Sequence, residues 1–148
     1  MNGERNGLIS LAKLTAVQFN LIPTLVCGIC EQESSWNADA TRYEEAFYLH
    51  YIEPMVLSQE LLDMTEAKNR ATSWGLMQVM GEVARELLYT GPFPFVEPGE
   101  GIRIGCEKFA RCVAAAKGDM VAALLRYNGG GNPNYPRQVI AKSASYGE

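Results

Sequence analysis

Apolar residues recur at helical spacing along most of the chain, and turn residues separate the periodic stretches. The pattern predicts helices over residues 9–19, 23–34, 59–71, 76–89, 101–117, 119–127 and 135–143. The aromatic-rich stretch 44–59 is ambiguous, because Pro54 would break a helix there. Residues 91–100 hold three prolines and two glycines and are predicted to form a loop. The predicted fold is all-α, or nearly so.

Boundary signals support these helices individually. Pro23 can open the second helix as a first-turn proline. Asp119 is a favourable N-cap for the helix that follows it, and the glycine run at 129–131 can end that helix. No internal repeat or linker divides the chain, so its 148 residues are expected to form a single domain, 1–148.

Composition and charge narrow the classes of function. Apolar residues make up 47% and charged residues 20%, which is typical of a globular protein. A net charge of −4 argues against a nucleic-acid partner, because phosphate binding requires a concentrated basic surface. No apolar run approaches the roughly 18 residues of a membrane span. The N-terminus lacks the order of segments found in a secretory signal. A monomer without a membrane span is expected.

The four cysteines leave several interpretations open. Cys27 and Cys30 form a C-x2-C pair, and Cys106 and Cys112 come much later. Zinc sites usually place such pairs on tight turns, whereas both segments here are predicted helices. A disulfide between the segments stays open. Packing as small apolar residues in the core is the favoured interpretation, so no metal site is predicted.

Glu33 is the strongest candidate for chemistry. Counting back from it at helical spacing gives Ile29, Val26, Leu25 and Ile22, so Glu33 continues an apolar stripe. Burial and the negative end of the helix dipole would both raise its pKa. A carboxyl group still protonated near neutral pH can act as a general acid. Glu33 could equally lie at a fraying helix end and point into water.

Three short motifs carry a resemblance to a known family. They are ESSWNADA at residues 33–40, GLMQ at 75–78 and RYNGG at 126–130, and GLMQ is expected to begin a helix. In this order they resemble the motifs of the soluble lytic transglycosylases, over about residues 21–140. The resemblance implies a lysozyme-like helical domain with a substrate cleft, acting on peptidoglycan glycan strands.

The resemblance also implies roles for single residues. Glu33 would be catalytic, and the Tyr127 hydroxyl would point at Glu33 and hold its orientation. The alternative for Tyr127 is a buried tyrosine bonded to a backbone carbonyl. Beside these implied roles, the chemistry of the residues suits Gln78 to contact with amino sugars, lets a sugar ring approach the backbone at Gly75, and gives Asn128 a mixed role of helix capping and sugar contact.

Other positions keep two interpretations. Met77 is either a groove wall or a core residue. Ser73 either contacts substrate or caps the following helix. Trp36 and Trp74 either stack on sugars or anchor the core.

The implied reaction needs one carboxyl group and no cofactor. Glu33 protonates the oxygen between N-acetylmuramic acid and N-acetylglucosamine, and the substrate's acetamido oxygen stabilises the cationic centre. Glu33 then takes the proton of the C6 hydroxyl, which attacks C1 and closes a 1,6-anhydro ring. The products are those of a lyase.

Two departures from the family pattern open alternatives. Ala38 replaces a common proline, and the interval from Glu33 to Gly75 is unusually long. That interval contains Glu44 in an R-Y-E segment similar to those of some phage lysins. Glu44 is expected to have a substrate-binding or structural role, with an ion pair to Arg42 or Lys68 as one form of the latter. If it activated water instead, the enzyme would be an inverting hydrolase, a lysozyme.

A further alternative is a non-catalytic wall-binding or virion structural module with the same fold. In each case the place of action would be the bacterial cell wall, in the periplasm or outside the cell. The compact chain fits a phage lysin or a piece of a larger phage or secretion protein.

Overall fold

The computed structural model describes residues 2–147 and is mostly helical, as predicted. The helices, in chain order, are α1 (Asn2–Gln18), α2 (Pro23–Ser34), α3 (Glu45–Phe47), α4 (Glu53–Leu57), α5 (Met64–Arg70), α6 (Gly81–Glu86), α7 (Pro98–Ala115), α8 (Met120–Asn128) and α9 (Tyr135–Ser143). A π-helical turn (Tyr48–Ile52) joins α3 to α4, and a 3-10 turn (Ala144–Tyr146) follows α9.

Several boundaries follow from the signals in the sequence. Pro23 lies in the first turn of α2, and the Asp119 carboxylate accepts a hydrogen bond from the Ala122 amide at the start of α8. Gly129 ends α8 with a φ of 86°. Pro54 does not break the 44–59 segment. The π-helical turn precedes it, and Pro54 then stands in the first turn of α4, where its missing N–H is tolerated.

A small antiparallel sheet, with two of its three strands inside the long interval from Glu33 to Gly75, is the main feature that the sequence pattern did not predict. Its strands are β1 (Thr41–Tyr43), β2 (Thr72–Trp74) and β3 (Val79–Met80), in the order β1-β2-β3. The expected helix start at GLMQ is wrong, because residues 75–78 form a turn between β2 and β3. The helix begins only at Gly81, since Gly75 and Gln78 both have positive φ and cannot belong to a right-handed helix.

Two clusters of buried side chains support the fold. The larger joins α1, α2, α7, α8 and α9 with the β2–β3 turn. The smaller lies around the π-helical turn and α5 and consists of Tyr48, Ile52, Leu61, Ala67 and Ala71.

All four cysteines are free thiols. Cys27, Cys30 and Cys106 are buried in the larger cluster, and Cys112 is half-buried beside it. Burial raises the pKa of the Cys27 thiol to about 11, so the thiol is neutral and unreactive near neutral pH. The favoured interpretation of the cysteines as core residues is confirmed. Within residues 2–147, no helix has the length and apolar character needed to cross a membrane.

Candidate active site

A cleft of about 490 Å³ lies between the helices and the small sheet. It is lined by Glu33, Arg42, Glu44, Phe47, Ser73, Gln78, Met80, Lys108, Tyr127, Asn128 and Gly131. All the predicted site residues except Met77 therefore meet in one place, although as many as 95 positions separate Glu33 from Asn128 along the chain. The motifs that the sequence analysis grouped by resemblance are neighbours in space.

Glu33 projects from the last turn of α2 and is half-buried. The Tyr135 hydroxyl donates a hydrogen bond to its Oε2 atom at 2.7 Å, and within residues 2–147 its Oε1 atom has no hydrogen-bond donor. Burial raises the pKa of Glu33, while the Tyr135 hydrogen bond and the charges of Lys108 and Arg42 oppose that rise. A carboxyl group with one oxygen held and the other open to the cleft can donate a proton to a ligand.

The contact between Tyr135 and Glu33 depends on a close crossing of α2 and α9. A Cβ at Gly28 would lie 2.6 Å from the Val139 carbonyl oxygen, so only glycine allows this approach. One turn further along, Gln32 donates to Gln138 at 2.9 Å. The helices run in opposite directions, and the first residue of α9 thereby comes to lie beside the end of α2.

The predicted hydrogen bond from Tyr127 to Glu33 is wrong. The Tyr127 hydroxyl donates instead to the Met77 carbonyl oxygen at 2.6 Å. The buried Tyr127 ring forms a T-shaped pair with the Phe109 ring. Tyr127 thus joins α8 to the β2–β3 turn, while its ring reaches the cleft. Tyr135 has the contact that was assigned to Tyr127.

Lys108 places a positive charge in the wall of the cleft. Its ammonium group lies 3.9 Å from the centroid of the Tyr127 ring, a cation–π geometry. Among residues 2–147, no carboxylate lies within salt-bridge distance of it. Burial lowers the pKa of Lys108, and the charge of Glu33 opposes that change. The two groups therefore influence each other's protonation across the cleft.

The opposite wall is one face of the sheet. Arg42 pairs with Ser73 across β1 and β2, and Ser73 pairs with Met80 across β2 and β3. Because directly opposed residues point to the same face of a sheet, these three side chains form a row along the cleft. Ser73 does not cap a helix, which leaves its hydroxyl available to a ligand. The neighbouring residues Thr72, Trp74 and Val79 are buried on the other face.

Glu44 lines the cleft beside this row, next to Phe47. Its carboxylate lies 2.7 Å from Nε of Arg42, which is the ion pair considered from the sequence. The ion pair with Arg42 holds the Glu44 carboxylate in place at the edge of the cleft.

The Gln78 and Asn128 side chains each use one of their two polar groups in hydrogen bonds to the protein backbone. The Gln78 amide donates to the carbonyl oxygens of Ala40 at 2.9 Å and Gly75 at 3.0 Å. Its oxygen is the atom left for a ligand, so Gln78 can act there as an acceptor. The Asn128 oxygen accepts from the Asn132 amide at 2.9 Å, which leaves its NH2 group as a donor.

Other expectations for the motifs are corrected. Met77 is fully buried, with its sulfur packed over Gly105, so it is a core residue rather than a groove wall. Gly75 has a φ of 78° and packs under Phe95, so the turn, and not the approach of a sugar, requires glycine there.

Both tryptophans are core anchors. The Trp36 indole donates to the Tyr146 hydroxyl at 2.8 Å, and the Trp74 indole donates to the Asn69 carbonyl at 3.0 Å. Neither ring lines the cleft.

Ser34, next to Glu33, ties the first motif to the second. Its hydroxyl contacts the carbonyl oxygens of Cys30 at 2.9 Å and Leu76 at 2.8 Å. One hydroxyl proton can serve only one of these acceptors at a time, and both contacts keep the end of α2 against the β2–β3 turn. The position of Glu33 relative to Gln78 is fixed in this way.

The sequence analysis did not single out Tyr135, which contacts Glu33, or the cleft-lining residues Arg42, Phe47, Met80, Lys108 and Gly131. Tyr135 carried one available signal, since a buried aromatic residue that opens a helix after the glycine run must pack against something nearby. Lys108 and Arg42 are ordinary charged residues in sequence, and no local pattern separates them from solvated ones. Among residues 2–147, no group of three His, Cys, Asp or Glu side chains is arranged to hold a metal ion.

Comparison with known proteins identifies the family. The family model described as the transglycosylase SLT domain matches residues 10–146, nearly the whole chain. No curated protein and no solved structure matches the chain significantly. The family match covers all three motifs and every residue that lines the cleft. The chain therefore belongs to the transglycosylase SLT domain family, a family of enzymes that cleave peptidoglycan.

Proposed function

We propose that this protein is a peptidoglycan lytic transglycosylase that cleaves the β-1,4 bond between N-acetylmuramic acid and N-acetylglucosamine and leaves a 1,6-anhydro end. The observation that carries the proposal is the state of Glu33, which is half-buried, held at one oxygen by Tyr135 and open to the cleft at the other. A single carboxyl group in this setting can give up a proton and recover it.

In the first step, the protonated Glu33 donates its proton to the glycosidic oxygen, and the bond to C1 breaks. Burial favours the protonated form that this step requires. The substrate's own acetamido oxygen stabilises the positive charge at C1, so the enzyme needs no nucleophile.

The ionised Glu33 is then stabilised by neighbouring groups. The Tyr135 hydroxyl donates to it, and the Lys108 ammonium group supplies positive charge. These interactions lower the cost of the charge that forms during proton donation. In the second step Glu33 removes the proton of the C6 hydroxyl, whose oxygen attacks C1 and closes the anhydro ring.

The other residues of the cleft are proposed to bind the glycan. Ser73, Gln78 and Asn128 offer hydroxyl and amide groups to the acetamido and hydroxyl groups of the sugars. The ring of Tyr127 supports the Lys108 ammonium group. Glu44 and Arg42 are proposed to contact substrate from the sheet wall as an ion pair. The proposed place of action is the bacterial cell wall, and a monomeric phage lysin is the proposed form.

Glu33→Gln tests the proposal. The amide keeps the size of the side chain but cannot exchange the proton, and each proton transfer contributes about 10²–10⁴ in rate. Release of soluble fragments from purified sacculi should fall to background while the melting temperature is kept or rises. The wild-type products, measured by mass spectrometry, should be lighter by one water than reducing-end fragments. A fully active Glu33→Gln enzyme would contradict the assignment of Glu33.

The second candidate function is that of a muramidase, an inverting hydrolase that uses Glu44 to activate water. The observation in its favour is that Glu44 lines the same cleft as Glu33. Glu44→Gln separates the two. The transglycosylase should retain measurable activity, because Glu44 has no part in either proton transfer. A muramidase should be as impaired by Glu44→Gln as by Glu33→Gln, and its products should carry reducing ends. Binding of wild-type protein to sacculi without any cleavage would instead favour a wall-binding module.

A further inference from the structure

The loop 129–134 joins α8 to α9, and Gly131 in this loop lines the cleft. A Cβ at any of the three glycines, 129–131, would meet no atom of another part of residues 2–147 within 4 Å. Packing therefore gives this stretch little support, and hydrogen bonds must hold the loop in shape. The loop lies between Asn128, which is proposed to bind the glycan, and Tyr135, which contacts the catalytic carboxyl group.

Within this loop Asn132 is half-buried, whereas its neighbours are exposed. All four of its polar groups form hydrogen bonds. Its side-chain NH2 group donates to the Gln138 oxygen at 2.9 Å, and its side-chain oxygen accepts from the Asn134 amide at 3.0 Å. On the backbone, its N–H donates to Oδ1 of Asn128 at 2.9 Å, and its carbonyl oxygen accepts from the Tyr135 amide at 3.0 Å. This residue therefore connects the end of α8 with the start of α9.

Gln138 ties Asn132 to the packed helices of the site. The Gln138 oxygen accepts a second hydrogen bond, from the Gln32 amide at 2.9 Å, and Gln32 directly precedes Glu33 on α2. Helix α9, on which Gln138 lies, is held against α2 by the close crossing at Gly28. The position of Asn132 is therefore set by two packed helices rather than by the exposed loop around it.

The hydrogen bond from Asn132 decides which group Asn128 presents to the cleft. An asparagine side chain can rotate its amide by half a turn and so exchange its oxygen for its NH2 group. Here the rotated amide would set the Asn128 NH2 group against the Asn132 N–H, and two donors cannot bond to each other. The Asn128 oxygen therefore stays on Asn132, and the NH2 group is left for a ligand.

The position of Tyr135 depends on packing and not on the loop. The Tyr135 ring is buried, and Pro136 and Val139 of the same helix are buried as well. These side chains hold the start of α9 beside Glu33. A change at Asn132 is therefore expected to act on glycan binding and not on proton transfer.

We propose that Asn132 is a positioning residue for glycan binding, which holds Asn128 with its NH2 group toward an oxygen atom of the substrate. This inference rests on the proposed function, because Asn132 does not line the cleft and acts through Asn128. Gln78 offers the opposite polarity in the same cleft, since its oxygen is the atom left for a ligand. The cleft thus presents one fixed donor and one fixed acceptor to the sugars.

The test compares Asn132→Ala with the wild type on soluble peptidoglycan strands. The substitution removes both side-chain hydrogen bonds of Asn132, so its N–H no longer has a fixed place beside Asn128. The KM should rise about three- to ten-fold, which corresponds to the loss of one neutral hydrogen bond. Both kcat and the alkaline limb of the pH–rate profile should stay unchanged, because Tyr135 keeps its contact with Glu33. A fall in kcat at constant KM, or a shifted alkaline limb, would overturn the proposal.

Asn134→Ala is the matched control, because it makes the same substitution in the same loop. Within residues 2–147 the Asn134 side chain forms no hydrogen bond, and its contacts with Asn132 and Gln138 come from its backbone. This variant should bind and cleave as the wild type does, and an equal rise in its KM would count against a specific role of Asn132. If Asn132→Ala does not fold, Gln138→Met removes the same contact from the other partner, and an unchanged KM in that variant would overturn the proposal.

Glycan binding in the Glu33→Gln background separates this proposal from the proposed function, because binding requires no cleavage. The probe is a tetrasaccharide of two N-acetylglucosamine–N-acetylmuramic acid repeats, and NMR titration gives its Kd for Asn128→Ala, Asn132→Ala and the double variant. The double variant should bind no more weakly than Asn128→Ala alone, since Asn132 acts through Asn128. Losses that simply add would overturn the proposal. This binding pattern together with a wild type that cleaves no glycan would keep the role of Asn132 and contradict the transglycosylase.

Discussion

The two walls of the cleft are built in different ways. The helical wall carries Glu33, Lys108 and Tyr127 and rests on the larger cluster of buried side chains. The sheet wall carries Arg42, Glu44 and Ser73 and rests on strands of two or three residues. Near it, only the smaller cluster of buried side chains forms, around the π-helical turn and α5. The group proposed for proton transfer therefore lies on the more deeply packed wall.

Charged contacts compensate for the small core behind the sheet wall. The Glu66 carboxylate accepts from Arg85 at 2.7 Å and 3.0 Å and from Arg70 at 2.8 Å. Arg85 also donates to the Tyr89 and Gly91 carbonyl oxygens, which ties α5 to the end of the 76–89 segment. Because the two walls are supported by different contacts, we expect that proton transfer by Glu33 and substrate binding by the sheet wall can be altered separately, by substitutions in one wall at a time.

The largest effect in this comparison is expected on the helical wall, from Tyr135→Phe. A hydrogen bond to a charged group contributes about 1.5–3 kcal/mol, so kcat should fall roughly ten- to a hundred-fold. The hydroxyl opposes the raised pKa of Glu33, so its loss moves that pKa further up. Glu33 must be protonated to act as the acid, and the alkaline limb of the pH–rate profile should therefore move to higher pH.

Tyr127→Phe is the matched control for Tyr135→Phe. It also removes a buried hydroxyl near the cleft, but that hydroxyl donates to the Met77 carbonyl. It should cost about 1–2 kcal/mol of stability and leave the alkaline limb where it is. If Tyr127→Phe moved the limb and Tyr135→Phe did not, the contact inferred from the sequence would be restored.

On the sheet wall, Glu66→Gln should lower the free energy of unfolding by about 1–2 kcal/mol at neutral pH, because it leaves two arginines without their shared carboxylate. The Arg85 hydrogen bond, followed by the Arg70 contact, lowers the pKa of Glu66 in the folded protein. Its stabilising effect is therefore present above the unfolded pKa of about 4.3 and is lost as pH falls through the lower folded value.

Urea unfolding of wild type and Glu66→Gln at several pH values measures this difference. The two proteins should converge in acid. A gap that stays constant from neutral to strongly acidic pH would show that the ionised network does not support the sheet wall.

The smallest expected effect is that of Lys108→Met. Lys108 lowers the pKa of Glu33, so removing its charge should raise that pKa. The alkaline limb should move to higher pH while the rate at its maximum falls only a few-fold. Lys108→Arg keeps the charge and should leave the limb in place. A limb that stays in place in Lys108→Met, or moves to lower pH, would mean that Lys108 does not act on Glu33.

The sequence by itself determined the features that depend on neighbouring residues. The starts of α2 and α8 follow from Pro23 and Asp119, and the end of α8 follows from Gly129, because each acts on hydrogen bonds within a few residues. The apolar stripe on its own helix made burial of Glu33 one of two interpretations, and the structure places Glu33 half-buried. The resemblance of the three motifs predicted the protein family, and the match to the family model confirms that prediction.

Only the tertiary structure decided which tyrosine holds Glu33, which motif residues face the cleft and where the sheet lies. Tyr127 and Tyr135 are both buried aromatic residues near a glycine run, and the choice between them depends on the close crossing of α2 and α9 at Gly28. Strands of two or three residues are too short for a periodic pattern, and they form because residues 72–74 pair with partners about thirty positions earlier. Such contacts join segments far apart in the chain, so no local pattern specifies them.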